Sequence, residues 1–292
     1  MTPSAPAVVI GDALIDEMRD ETGSVDAPGG SALNVAAGLA TLETPAILVA
    51  MIGADRDGAV LDSYLGEHGI PVLASPSALG TGRAVSDRTN GEPSYSFNDA
   101  AIARKIVFST DVLEAIEVAP LVAISGFPFD HADQLEQLSR ALDGARVAVD
   151  ANPRLGLVSD ANRFGENLLA FAARCELVKI GEDDAHLLYG ESAETVASRF
   201  VSAGAAAVIA THGPGGATVY LADRVVRRPI AHLTGEPVDM MGAGDATFAT
   251  VLAGLIRRDF STDETAWQQI LDHAMVVAAL TIRAPGGRLR LA

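Results

Sequence analysis

Lysine is nearly absent from this 292-residue chain, which has only Lys105 and Lys179. Neither closes a GxxxxGK[ST] run, so a P-loop is excluded. The dinucleotide fingerprint is missing too: Val8-Val9-Ile10 leads into Gly11-Asp12-Ala13-Leu14, which is not GxGxxG. There is no HExxH, no GxSxG and no cysteine cluster. The single Cys175 rules out an intramolecular disulfide and fits a reducing cytoplasm, and it reads as a small buried hydrophobe where a helix joins a strand. No apolar run reaches the ~18–20 residues of a membrane span. Met1-Thr2-Pro3-Ser4 lacks the basic start of a signal peptide. Bases are outnumbered by acids, 21 to 38, for a net charge of −17. That argues against nucleic acid or an anionic membrane as partner. It leaves room for an anionic nucleotide, because amides and a divalent cation can reverse the field inside a cleft.

What is abundant is aliphatic: 49% of residues are hydrophobic but only 5% aromatic. Such a composition suits buried parallel strands covered by helices. Apolar runs predict strands at 7–11, 46–52, 121–125, 146–150, 177–180 and 206–211. Helical patterns fall between them near 31–42, 57–68, 131–142, 160–173, 182–189 and 194–203. This alternation predicts an α/β fold, a doubly wound and mostly parallel sheet flanked by helices. Residues 215–229 read as a hairpin, and two apolar helices follow at about 243–258 and 264–283. Segments 13–28 and 81–99 fit no layer of that core. Asn90-Gly91 in the second is a hairpin-turn signal, so the two segments predict a small β lid on a single domain spanning 1–292.

Two glycine-opened helix starts hold the chemistry. In Asp239-Met240-Met241-Gly242-Ala243-Gly244-Asp245, glycines uncover peptide N–H groups where a long helix begins. Helix N-termini attract anions through unpartnered amides and the macrodipole. A carboxylate in that turn repels a simply bound phosphate, but it serves phosphoryl transfer as a base for the attacking hydroxyl. Its plain alternative is an ordinary helix-start acid. In Pro28-Gly29-Gly30-Ser31-Ala32-Leu33-Asn34, a Gly-Gly turn allows close backbone approach, and Asn34 can donate to and accept from hydroxyls. Taken alone, that turn is a plain helix cap.

Together the two motifs, one near each end, resemble the signatures of the ribokinase-like (PfkB) carbohydrate kinase family, along essentially the whole chain. Gly11-Asp12-Ala13-Leu14-Ile15-Asp16 looks like the family's first strand and sugar-contacting loop. Asp150-Ala151-Asn152-Pro153-Arg154 resembles the D-x-N-x-R stretch of its fructokinase and 2-keto-3-deoxygluconate kinase branches. Thr211-His212-Gly213-Pro214-Gly215-Gly216 is similar to its nucleotide loop.

The resemblance implies an ATP- and Mg2+-dependent sugar kinase of the fructokinase-like branch, with ribose or 2-keto-3-deoxygluconate as alternative substrates. It makes Asp245 the base and the amides of Gly242, Ala243, Gly244 and Asp245 the anion hole. Asp12, Asp16, Gly30 and Asn34 would meet the sugar, with Arg83, Tyr95 and Phe97 closing from the lid. Arg154 would clamp an acid or phosphate, or else pair with Asp150. Thr211, Gly213, Gly216 and His273 would line the nucleotide site, and Asp184 would order Mg2+ water. A homodimer through the lid is the implied assembly.

Three departures stand out. Met240-Met241 replaces the usual threonines, and Gly181 and Asp184 stand where the family has an amide and a glutamate. The closing Arg283-Ala284-Pro285-Gly286-Gly287-Arg288 alters the loop for a monovalent cation, so K+ at Asp239 is a weak expectation. These changes motivate a second reading, a sugar- or nucleotide-binding regulator without turnover. Retention of Asp245 argues against it.

Overall fold

The computed structural model describes residues 5–21, 23–87, 94–260 and 262–291. In chain order it begins with β1 (Ala7–Gly11), β2 (Leu14–Asp20), β3 (Gly23–Gly29), α1 (Ser31–Thr41), β4 (Ala46–Gly53), α2 (Arg56–Glu67) and β5 (Val72–Ser77). Next come β6 (Gly82–Asp87), β7 (Ser94–Phe97), α3 (Asp99–Ile102), α4 (Thr110–Val118), β8 (Val122–Ser125), α5 (Ala132–Ala141) and β9 (Val147–Asp150). The chain continues through α6 (Ala161–Ala172), β10 (Leu177–Gly181), α7 (Glu182–Tyr189), α8 (Ala193–Ala203) and β11 (Val208–Thr211). It closes with β12 (Ala217–Tyr220), β13 (Val225–Arg228), α9 (Ala243–Arg257) and α10 (Glu264–Thr281).

The large sheet runs β13-β12-β11-β10-β9-β8-β1-β4-β5. From β11 to β5 its pairings are parallel, while β12 and β13 add an antiparallel end. Strand alternation divides the core between the two faces. Ala7 and Val9 of β1 join the layer under α1, α9 and α10, whereas Val8 and Ile10 join the layer under α5, α6 and α8. Helix α1 packs closely on α9, since a Cβ at Gly38 would lie 2.8 Å from the Ala249 Cβ. The doubly wound, mostly parallel sheet expected from sequence is the observed one.

The expected lid is a four-stranded sheet, β3-β2-β6-β7. Hairpin β2–β3 leaves the core at Ala13 and returns at Gly30, and β6 pairs parallel with β2. The Asn90-Gly91 turn lies outside the described residues. Three elements have no counterpart in the sequence expectations. The one-turn helix α3 starts after Asn98, whose Oδ1 accepts from the Ala101 N–H. Strand β5, Val-Leu-Ala-Ser-Pro-Ser, pairs among the described residues with β4 alone at the sheet edge, where a proline and polar side chains are tolerated. Helix α4 starts at Ser109, whose Oγ accepts from the Val112 N–H.

Candidate active site

The two glycine-opened helices meet at Asp245. Gly242 caps α9 in the left-handed region at φ 75°, and a Cβ there would lie 2.1 Å from the Gly287 carbonyl oxygen. A side chain is therefore excluded by backbone conformation and by space. Asp245 follows in the first turn, 7% exposed. Its Oδ1 accepts from Ser31 Oγ at 2.6 Å and its Oδ2 from Asn34 Nδ2 at 2.8 Å. With its proton directed to Asp245, Ser31 accepts in turn from Ser125 Oγ at 2.5 Å. The carboxylate is thus fixed by α1 beside the first-turn amides of α9, which a helix leaves without intrahelical partners.

More carboxylates gather on one side of Asp245. Asp12 directly follows β1; its Oδ1 accepts from the Ala32 N–H at 3.1 Å. Burial lifts its carboxyl above the usual range, and Asp245 adds to the lift. The Ala32 N–H, Arg104 and Arg154 oppose it. Asp16, on β2, packs so tightly against Gly29 that a Cβ there would lie 1.9 Å from its Oδ2. Burial, then the charges of Asp12 and Asp245, push its carboxyl up to about 7. Gly30 at φ 99° brings the chain against the Asp12 carbonyl, 2.7 Å from where a Cβ would sit. Arg104 is buried nearby and donates to the Gly126 carbonyl at 3.1 Å. Arg104, Asp12 and Gly126 line a pocket at the carboxyl ends of β1 and β8, where open α/β sheets hold ligands.

On the other side lies a mixed-charge cluster. Lys179 Nζ donates to both Asp150 oxygens, at 2.8 and 2.9 Å, and both residues are buried. Burial raises the Asp150 carboxyl to about 6, with Lys179 opposing. Asp184 accepts from the Gly181 N–H at 2.9 Å. A Cβ at Gly181 would lie 3.1 Å from Asp184 Oδ2 and 3.4 Å from Thr211 Oγ1, so Asp184 and Thr211 share one corner. Gly213 and Gly216 shape the turn after Thr211, which the His212 side chain braces against Glu182 at 2.7 Å.

Asp12, Asp16, Gly30, Asn34 and Asp245 are therefore brought together, and Asp184, Thr211, Gly213 and Gly216 gather at the ends of β10 and β11. Two expected residues, Arg83 and His273, lie elsewhere. Cross-strand partners share a face, so the register sets Arg83 opposite Ile15, on the lid face away from Asp16. There its guanidinium binds Glu17 at 2.8 Å, Asp26 at 2.5 Å and Asp57 at 2.6 Å. The carboxylates occupy it because the lid's outer face packs toward α2, which the β pattern alone does not reveal. His273 is on the exposed side of α10; burial and then Arg257, at the far end of α9 from Asp245, lower its pKa. Asp239 stays near enough for its charge to act on Asp16, and it braces the loops before α9 by accepting from the Met241 and Gly286 N–H groups, each at 3.1 Å.

Tyr95 and Phe97 share the lid face of Asp16, through Ser86 and Ala84. Tyr95 is exposed, and Phe97 reaches Gly156. Arg154 is exposed at the rim, and its charge acts on both Asp12 and Asp16. Asp150 pairs with Lys179, not with Arg154 as one alternative had it. Sequence reasoning missed Ser125, Lys179 and Arg104 as parts of the site. A lysine inside the apolar run Leu177-Val178-Lys179-Ile180 was the available signal.

Comparison with known proteins finds relatives along essentially the whole chain. A fructokinase of Escherichia coli is 28% identical over 302 residues, spanning 99% of this chain and 96% of its own length. A fructokinase of Rhizobium leguminosarum bv. trifolii is 29% identical over 261 residues, or 84% of this chain and 78% of its own. The solved fructokinase of Xylella fastidiosa with bound ATP superposes with a TM-score of 0.83 at 21% identity, covering 98% of this chain and 94% of that one. The family model for pfkB family carbohydrate kinases matches residues 7–291. The chain belongs to the pfkB family of carbohydrate kinases.

Proposed function

We propose that this carbohydrate kinase transfers the γ-phosphoryl group of ATP to a hydroxyl of a small sugar, with a fructose-like hexose favoured. Ribose and 2-keto-3-deoxygluconate are the competing substrates. The observation that carries the reading is the pair of hydrogen bonds from Ser31 and Asn34 to Asp245, which joins the sugar-side helix to the phosphate-side helix.

Asp12 and Asp16 accept from sugar hydroxyls, and Gly30 and Asn34 complete that wall. Asp245 takes the proton of the attacking hydroxyl as its oxygen bonds to the γ-phosphorus. The bond to the bridging oxygen breaks, and the electron pair leaves with ADP. The amides of residues 242–245 receive charge on the moving phosphoryl oxygens. Thr211, Gly213 and Gly216 hold the nucleotide.

Mg2+, when bound on the triphosphate, neutralises its charge. Such an ion keeps several waters and needs only one or two carboxylates, a demand Asp184 fits. Asp184 Oδ2 accepts from Gly181, while its Oδ1 takes no hydrogen bond among the described residues. A K+ ion would have to share Asp239 oxygens that two N–H groups already use, and the transfer chemistry does not call on it.

ATP consumption against a sugar panel, with wild type beside Asp245→Asn, tests the reading. Loss of the base is expected to lower kcat by about 10²–10⁴. Equal rates on every sugar would overturn it. Saturable sugar binding without turnover would establish the regulator instead.

A further inference from the structure

Lys179 sits in the interior strand β10 and is 4% exposed. Packing alone does not account for it, because a buried ion pair is often replaceable by apolar residues without loss of stability. Its placement is what sets it apart. A Cβ on Gly244 would lie 3.2 Å from Lys179 Nζ and 3.5 Å from its Cε. The ammonium therefore lies against the first turn of α9, the turn that holds Asp245 and offers its amides.

The groups facing it are acidic: Asp150, which it touches, and Asp184 and Asp245, whose charges act on it. Burial works against the ammonium, yet these acids hold its pKa above the ordinary value, so it stays charged at neutral pH. Two of its three N–H donors meet Asp150, and the third has no acceptor among the described residues.

We propose that Lys179, oriented by Asp150, is a positioning residue that balances charge in the phosphoryl-transfer turn. Its ammonium offsets Asp245, Asp184 and Asp150 and adds positive potential behind the Gly244 amide as negative charge gathers on the transferred group. It keeps its proton, and no bond forms or breaks at Nζ. Gly244 is glycine for a second reason beyond phosphate access: a side chain there would displace the ammonium. The inference rests on the sugar-kinase reading and adds a residue to its phosphate side.

The test is Lys179→Met together with Asp150→Asn, which removes both charges at similar size and leaves neither member of the hydrogen-bonded pair as a lone buried ion. Thermal melting is measured first, then kcat and KM for the best sugar of the panel. The expected result is near-native melting, a kcat about 10–100-fold lower and a sugar KM within about twofold. Lys179→Arg, which keeps the cation, should recover part of the kcat. Wild-type kcat in the doubly neutral protein overturns the proposal, as does a raised KM with kcat unchanged. If the double variant melts early, the single Lys179→Met variant, assayed below its own melting temperature, decides by the same split. Failure of the kinase reading looks different, because wild type would then match Asp245→Asn on every sugar.

Discussion

Replacing Asp16 by Asn should stabilise the ligand-free protein and weaken its hold on the substrate. The Asp16 carboxyl rises from 3.8 to about 7 on folding, through burial and the neighbouring Asp12 and Asp245 charges. Between those values the unfolded chain has lost the proton and the folded chain retains it, so stability falls as pH rises. The penalty is absent below about pH 4 and complete above about pH 7. At about 1.4 kcal/mol per pH unit it amounts to about 4 kcal/mol, and solvent at the half-buried side chain reduces it toward about 2 kcal/mol.

An amide does not ionise, so the variant escapes the penalty. For a chain of this size that is a gain in Tm of about 4–8 °C near pH 8.5, and about half as much near pH 5.5. Melting followed by fluorescence across that range checks it. On the proposed reading sugar hydroxyls donate to the ionised carboxylate, so titration calorimetry in buffers of different ionisation enthalpy should also show proton release near pH 6.5, absent in the variant. A Tm gain independent of pH, or a loss of stability near pH 8.5, would refute the reasoning.

The two arginines at the sugar end should separate. Arg83→Ala breaks three partly exposed ion pairs on the outer lid face, each worth no more than about 1 kcal/mol; a lower Tm with sugar KM unchanged is expected, and a KM rise with native Tm would contradict the register argument. Arg154→Ala removes the cation acting on Asp12 and Asp16, so it should raise the substrate KM while leaving Tm near native. Cys175 is buried, with its thiol pushed up to about 12, so a disulfide reagent such as DTNB should leave it unmodified in the folded protein and label it after denaturation.

Legibility followed burial and locality. Strand β1 is readable because both faces are covered, and a run such as Val8-Val9-Ile10 has few other uses. Strand β5 is not, because an edge strand needs no such run. The lid's existence follows from segments that fit no layer, but the parallel pairing of β2 with β6 joins pieces far apart in sequence and leaves no local trace. The site divides the same way. Gly242, Gly244 and Asp245 are adjacent and announce themselves. The partner of Asp150 does not: Arg154 is near in sequence, yet the β9–β10 register sets Asp150 directly opposite Lys179. Once the strand order is known, that pairing follows at once.

On the proposed reading, the site also explains why the base stands at position 245 and nowhere nearby. A sugar offers hydroxyl donors and calls for acceptors, whereas a phosphoryl group offers acceptors and calls for donors. On the proposed reading, the carboxylates of Asp12 and Asp16 meet the first demand and the amides of α9 the second. A base for the transfer must touch both groups at the boundary. In a helix, one residue's displacement turns a side chain by about 100°. An acid at 244 would turn toward Lys179, as the direction of the Gly244 Cβ shows. An acid at 246 would enter the apolar layer that holds Ala246. Only at 245 does the side chain face Ser31 and Asn34 on α1 while its own backbone remains in the amide turn.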